Sequence, residues 1–108
     1  MAQNFRRYTS NDVGTSPVTL FTADSYDTVV GISVANVATT SVIASVYIND
    51  GTNDIYLVKD APIPVGSALQ VLDGGAKFVV QNNDALKVVS DIASSLDVWV
   101  STVDDISS

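Results

Sequence analysis

Residues 41–59, SVIASVYINDGTNDIYLVK, decide the fold. From Val42 to Ile48 apolar side chains occupy every second position, which is typical of a strand with one face on a core. Ile43 is the one strongly apolar side chain on the outward face of this run. Asn49–Asp54 follows with Asp-Gly at its centre, a strong signal for a hairpin turn, and the alternation then resumes. The stretch predicts two antiparallel strands joined by a hairpin.

Similar runs recur on both sides of this hairpin, at intervals of about ten residues. We predict eight strands, at 18–22, 26–37, 41–49, 55–59, 68–72, 77–81, 85–91 and 96–103. Gly31 interrupts the second run and is expected to mark a bulge or a close approach of another backbone. Pro62 and Pro64 restrict their segment to a sheet edge or a crossing. Since the turns are too short for crossover helices, the pairing should be antiparallel.

The composition supports an all-β fold. Val, Ile and Thr together make up about a third of the chain, and such β-branched side chains pack well on a pleated surface. All 12 acidic residues are Asp, which favours turns, whereas Glu, which suits helices, is absent. The predicted fold is a single antiparallel β-sandwich of about eight strands, jelly-roll or immunoglobulin-like, with an extended N-terminal arm.

The arm is predicted to span residues 1–17 and the β-sandwich domain residues 18–108. The arm is polar and contains Phe5-Arg6-Arg7-Tyr8, which holds both arginines of the chain. Two interpretations stay open: a loosely laid tail, or an arm that docks on the acidic surface of another subunit. If the arm docks, deleting residues 2–12 should weaken assembly more than it lowers the melting temperature.

Composition also excludes several classes of function. The chain has no Cys and no His, which excludes disulfides, Cys/His zinc sites, thiol nucleophiles and histidine bases. A net charge of -7 argues against a nucleic-acid clamp. No apolar run is long enough to cross a bilayer, and residues 1–12 lack a secretory-signal pattern. We expect no enzymatic activity, no cofactor, and neither nucleic acid nor membrane as a partner.

Asn49–Asp54 is the best candidate for a metal site, because oxygen ligands clustered in one loop can hold Ca²⁺. The same residue types at a hairpin tip more often serve the turn itself, through positive φ angles and local backbone hydrogen bonds. The sequence leaves both interpretations open.

Three aromatic residues, Tyr47, Tyr56 and Trp99, fall out of phase with the inward positions of their strands. They are predicted to lie on a contact surface between subunits. A platform for sugars is a second use of exposed aromatic rings. The alternative is that both faces are partly covered, or that the assigned phase is wrong by one residue.

Several motifs in fixed order carry a family resemblance. They are VTLFT at 18–22, TVVGISVAN at 28–36, VYINDG at 46–51, IYLVK at 55–59, APIPVGS at 61–67, LDGG at 72–75 and DALKV at 84–88. This order resembles a family of small virion structural proteins of tailed bacteriophages. The opening MAQNFRRYTS, residues 1–10, is similar to versions in contractile-tailed marine cyanophages. The resemblance implies several copies in each particle and brings no catalytic residues.

The sequence therefore predicts a non-enzymatic virion structural protein. It would be an oligomeric subunit that decorates the capsid or forms part of the neck, tail or fibre attachment. Its partners would be itself, with a trimer favoured, and other virion proteins. The alternative is a carbohydrate- or receptor-binding module on the virion surface. The predicted subunit-contact residues are Phe5, Arg6, Arg7, Tyr8, Tyr47, Tyr56 and Trp99.

Overall fold

Strands account for all the regular structure of the described residues. A computed structural model describes residues 5–23, 27–72, 78–81 and 83–103, and the side chains of Phe5, Leu72 and Phe78 lie outside that description. The strands are β1 (Phe5–Val13), β2 (Val18–Thr22), β3 (Asp27–Asn36), β4 (Val42–Asn49), β5 (Asp54–Ile63), β6 (Ala68–Leu72), β7 (Phe78–Val80), β8 (Ala85–Ser90) and β9 (Leu96–Val103).

These strands form two antiparallel sheets. The five-stranded sheet has the order β1-β9-β3-β6, with β7 also paired to β3, and the four-stranded sheet has the order β2-β8-β4-β5. Apart from the β4–β5 hairpin and the β6–β7 connection, each strand is followed by one in the other sheet. This is the strand order of a jelly roll, so the structure confirms the predicted sandwich and selects the first of its two predicted forms.

The core lies between the sheets and consists mainly of β-branched side chains, as the composition predicted. The largest fully buried side chains are Ile32, Ile63, Leu86, Leu96, Val13, Val29, Val34, Val42, Val46, Val80, Val88 and Val100. Short, stiff side chains of this kind fill a two-sheet core with little loss of rotamer freedom on folding.

The predicted bulge at Gly31 is confirmed. The register of β3 against β9 shifts between Val29 and Gly31. The extra residue changes the phase of β3 at this point, so that Val29 before the shift and Ile32 and Val34 after it are all buried. Tyr26, which the prediction placed at the start of this strand, lies outside the described residues.

The proline-containing segment is also where the sequence placed it. β5 forms one edge of the four-stranded sheet and continues through Pro62, which pairs with Ile43 of β4. Proline is tolerated there because its missing N–H is not needed by an outer neighbour. β5 is longer than predicted and contains its own irregularity at Asp60, whose φ is 55° and whose N–H donates to Ser45 Oγ at 2.9 Å.

The N-terminal segment differs from the expectation of an extended arm. Residues 5–13 form β1, which pairs with β9 from Phe5 opposite Val103 to Val13 opposite Leu96. All eight predicted strands are present, and β1 is the ninth among the described residues. Its polar sequence concealed it because β1 is an edge strand: of its described side chains only Val13 is fully buried, and Tyr8 is half-buried.

Candidate interaction surfaces

Arg7 and Tyr8 lie on opposite sides of β1, because side chains alternate along a strand. Arg6 and Arg7 are exposed. Tyr8 faces the other sheet and stacks on Phe21 of β2, with ring centroids 4.5 Å apart. Tyr8 therefore has an aromatic partner within its own chain.

Trp99 lies on the outer face of the five-stranded sheet, and 51% of its surface is exposed. Its indole N–H donates to Ser101 Oγ at 3.2 Å. The Arg7 guanidinium carbon lies 5.4 Å from the ring centroid, within the range of a cation–π contact. The structure thus brings together two of the predicted contact residues, and these contacts restrict the orientation of the indole.

A cavity of about 410 Å³ opens beside this ring. Its lining includes Thr9, Asn11, Ser33, Asp97 and Trp99. Thr9 and Ser33 lie directly opposite Trp99 on the two neighbouring strands. Both side chains are small, so they leave about half of the indole exposed in the middle of the sheet.

An irregularity of β1 lies at the wall of this cavity. The pairing of β1 with β9 shifts between Ser10 and Val13, and Asp12 has a φ of 56°. The Asp12 N–H donates to Asp97 Oδ1 at 3.2 Å. This hydrogen bond holds the bulge against β9, and bulges of this kind often re-aim side chains beside functional sites. The sequence carries no signal for this bulge, because Asn11-Asp12 contains no Gly.

Tyr47 and Tyr56 form a second aromatic site, on the outer face of the four-stranded sheet. Their ring centroids are 5.0 Å apart, and Lys59 Nζ lies 5.1 Å from the Tyr56 centroid. Tyr47 is buried and Tyr56 is exposed. Burial first, then the nearby charge of Asp54 and the Tyr56 phenol, raise the pKa of Tyr47 above its usual 10.0. Tyr47 therefore stays neutral at physiological pH.

Of the three predicted aromatics, Trp99 and Tyr56 are exposed and Tyr47 is buried, and the three do not form one surface. Trp99 is on one sheet and the tyrosine pair on the other, so they face opposite sides of the sandwich. Period-two alternation separates inward from outward positions and does not say which sheet a strand joins. The side chain of Phe5, the remaining predicted contact residue, lies outside the described residues.

A third surface lies at one end of the sandwich, where four loops meet: residues 14–17, 37–41, 64–67 and 91–95. Backbone hydrogen bonds join these loops to one another and to the adjoining strand ends. They include Asn36 N–H to Ser67 O, Val37 N–H to Ser95 O and Ser90 N–H to Gly14 O. We call this surface the loop end. The four loops contain one charged residue, Asp91, and its carboxylate accepts the Ile43 N–H at 2.8 Å.

The loop end exposes apolar side chains. Val37, Val65 and Ile92 are exposed, and Val65 has 55% of its surface accessible. The described carboxylates of Asp50, Asp54 and Asp84 lie at the opposite end, whereas Asp12 and Asp97 flank the loop end on β1 and β9. The low charge of the four loops is visible in the sequence, but only the topology shows that they converge.

In the Asn49–Asp54 loop, side-chain oxygens accept hydrogen bonds from backbone N–H groups of the loop itself. Asp50 Oδ1 accepts the N–H groups of Thr52 at 3.0 Å and Asn53 at 2.7 Å. Asn49 Oδ1 accepts the Gly51 N–H at 2.9 Å, and Asn49 Nδ2 donates to Asp54 Oδ1 at 2.7 Å. These bonds match the turn-forming interpretation. Across residues 5–23, 27–72, 78–81 and 83–103, no three acidic side chains converge as metal ligands.

No known protein family matches the chain by sequence, and neither does any curated protein. Solved structures do match its fold. A capsid structure of Helicobacter pylori bacteriophage KHP30 is similar over 95% of this chain and 87% of that one, with a TM-score of 0.62 and 14% identity. A structure from Bacillus endospore appendages, described as a novel family of disulfide-linked pili, covers 98% of this chain and 88% of that one, with a TM-score of 0.57 and 14% identity.

A third structure is that of a pentameric capsid protein isolated from metagenomic phage sequences, with a TM-score of 0.48 and 17% identity over 93% of this chain and 59% of that one. The described part of the chain contains no helix long and apolar enough to span a membrane.

Proposed function

We propose that this chain is a non-enzymatic structural protein of a bacteriophage virion, a jelly-roll subunit that associates with copies of itself and with other virion proteins. The observation that carries the proposal is a fold that is similar, over 95% of the chain, to a phage capsid structure. The motif order, which resembles small virion proteins of tailed phages, supports it. We further propose a contractile-tailed marine cyanophage as source, and capsid decoration or the neck, tail or fibre attachment as location.

The loop end is the surface best suited to contacts between copies. Two copies that each carry a net charge of -7 repel one another, so identical subunits meet most easily where charge is low. The exposed Val37, Val65 and Ile92 supply apolar area at this place. Loops meeting around a rotation axis would give a closed homo-oligomer, for which we favour a trimer.

The predicted contact residues supply further candidates. Arg6 and Arg7 are exposed cations on an acidic protein and suit the acidic end of a neighbouring copy. Tyr56, half-exposed on the four-stranded sheet with Tyr47 beneath it, suits a second contact. Aromatic residues and arginines are enriched at such interfaces.

Light scattering after size exclusion tests self-association of the full chain. We expect an oligomer whose population grows with protein concentration and with salt, because salt screens the repulsion between copies. Val65→Asp should shift the population toward monomer, since it places a carboxylate on the loop end. Ile55→Asp is the matched control, because Ile55 is 54% exposed at the other end of the sandwich.

A chain that stays monomeric at all concentrations would overturn the self-association, and an equal effect of the two variants would remove the loop end as its surface. Cryo-electron microscopy of the intact particle tests the virion assignment and shows where the subunit lies.

A further inference from the structure

We propose that the cavity beside Trp99 binds a neutral pyranose sugar, as part of a surface glycan. This site goes beyond the structural role. A pyranose combines a face of C–H groups, which packs on an aromatic ring, with a rim of hydroxyls that donate and accept hydrogen bonds. The cavity offers both complements, an exposed indole and a polar wall.

The two sides of the indole differ. Arg7 and Ser101, which contact the ring, are opposite each other in the strand register, two residues along β9 from Trp99. Asp97 and Ala35 lie two residues away in the other direction and line the cavity. The ring is therefore held from the Ser101 side and open toward Asp97. A ring fixed in this way loses little freedom when a ligand packs on it.

Hydrogen-bonding groups surround the open side. Thr9 and Ser33 supply hydroxyls on the two strands that flank Trp99, Asn11 supplies an amide and Asp97 a carboxylate. A carboxylate accepts sugar hydroxyls through charge-assisted hydrogen bonds, which are stronger than neutral ones. The bond from Asp12 N–H to Asp97 Oδ1 fixes the orientation of this carboxylate.

Size and charge select the ligand class. A cavity of about 410 Å³ is in the lower part of the range of small-molecule sites, about 300–1,000 Å³. Asp97 at the wall and the net charge of -7 disfavour anionic sugars such as uronic acids. These features favour a neutral sugar over an acidic one.

Trp99 is the only tryptophan of the chain, so tryptophan fluorescence reports on this site alone. We expect a saturable change in emission when the full chain is titrated with glucose, galactose, N-acetylglucosamine or their short oligomers. A uronic acid should produce a weaker response.

Calorimetry should show binding weakened about tenfold or more in Trp99→Ala and partly retained in Trp99→Phe. Tyr56→Ala, an exposed aromatic on the opposite sheet, is the matched control and should bind as the parent does.

Three results would overturn the proposal. One is that no neutral sugar or glycan of an array gives saturable binding. The second is that Trp99→Ala binds as tightly as the parent chain. The third is an emission change that follows protein concentration and light-scattering mass without any sugar, because Trp99 would then lie in a contact between copies. This last result would leave the structural role intact.

Discussion

Tyr8 and Phe21 stack with ring centroids 4.5 Å apart and planes 12° from parallel, although they belong to different sheets. Tyr8 is on β1, the edge of the five-stranded sheet, and Phe21 is on β2, the edge of the four-stranded sheet. The stack therefore closes the side of the sandwich where the two edge strands lie. It fixes the N-terminal strand to the core of its own chain.

The stack predicts that Tyr8→Ala lowers the free energy of unfolding by about 2–3 kcal/mol, since a stacked pair contributes about 0.5–1.5 kcal/mol beyond its buried area. Urea denaturation followed by fluorescence measures the change. Thr9→Ala, the next residue on β1 and exposed, is the control and should change stability by less than about 0.5 kcal/mol. Equal midpoints for the two variants would mean that β1 does not dock on its own core.

The pairing of β1 also alters what a deletion should do. If residues 1–17 were a docking arm, removal of residues 2–12 would weaken assembly more than it lowers the melting temperature. Because this deletion removes most of β1 and exposes β9 and Phe21, a large fall in melting temperature is the expectation that the structure supports. Polar residues on an edge strand carry little periodic signal, which is why the sequence did not indicate a strand here.

Other parts of the fold were predictable because their signals are local. The alternation in residues 41–59 encodes β4, β5 and their turn, Gly31 marks a bulge, and Pro62 marks an edge. The jelly-roll order could not be predicted in the same way, since it depends on pairs such as β1 with β9 that are far apart in sequence. The same limit hid the loop end and the cavity, which form only when distant segments meet.

Asn36 is a buried polar residue that connects the loop of residues 37–41 to the end of β5, at the loop end. Its Nδ2 donates to Thr40 O at 2.8 Å and to Ile63 O at 3.0 Å, and its Oδ1 accepts the Ala38 N–H at 2.8 Å. Asn36→Ala should lower the free energy of unfolding by about 2–3 kcal/mol, because it leaves backbone groups without their hydrogen-bond partner. Thermal unfolding measures the loss.

Asn53→Ala, in an exposed loop at the other end, is the control for this prediction and should leave the melting temperature nearly unchanged. If Asn36→Ala melted with the control, the three hydrogen bonds would not stabilise the loop end.

Gly14 and Gly31 are predicted to respond in opposite directions to alanine. A Cβ on Gly14 would lie 3.0 Å from Ser94 N and 3.2 Å from Ala93 Cα, so the backbone of the β8–β9 turn must move. We expect Gly14→Ala to destabilise the chain by about 1–2 kcal/mol.

A Cβ on Gly31 meets nothing within 4 Å. Gly31→Ala should be neutral or stabilise by up to about 1 kcal/mol, because it restricts the unfolded chain. Denaturant midpoints of the two variants measure the difference, and a shift of the same sign in both would contradict the geometry.

Asp50 makes the stability of the β4–β5 turn depend on pH. The N–H groups of Asn53 and Thr52, in that order of effect, lower the pKa of Asp50 below its usual 3.8. A carboxyl group whose pKa is depressed by folding stabilises the folded state above the unfolded pKa, and this contribution is lost as the pH falls through 3.8 toward the folded value. Asp50→Asn keeps an acceptor oxygen without the charge. The parent chain should therefore lose its greater free energy of unfolding relative to this variant in that acidic range.

Carboxyl carbon NMR shifts of Asp50 give the pKa directly. Because hydrogen bonds rather than distant charges cause the shift, it should persist at high salt, and a titration at or above 3.8 would show that the two N–H groups do not bind the carboxylate.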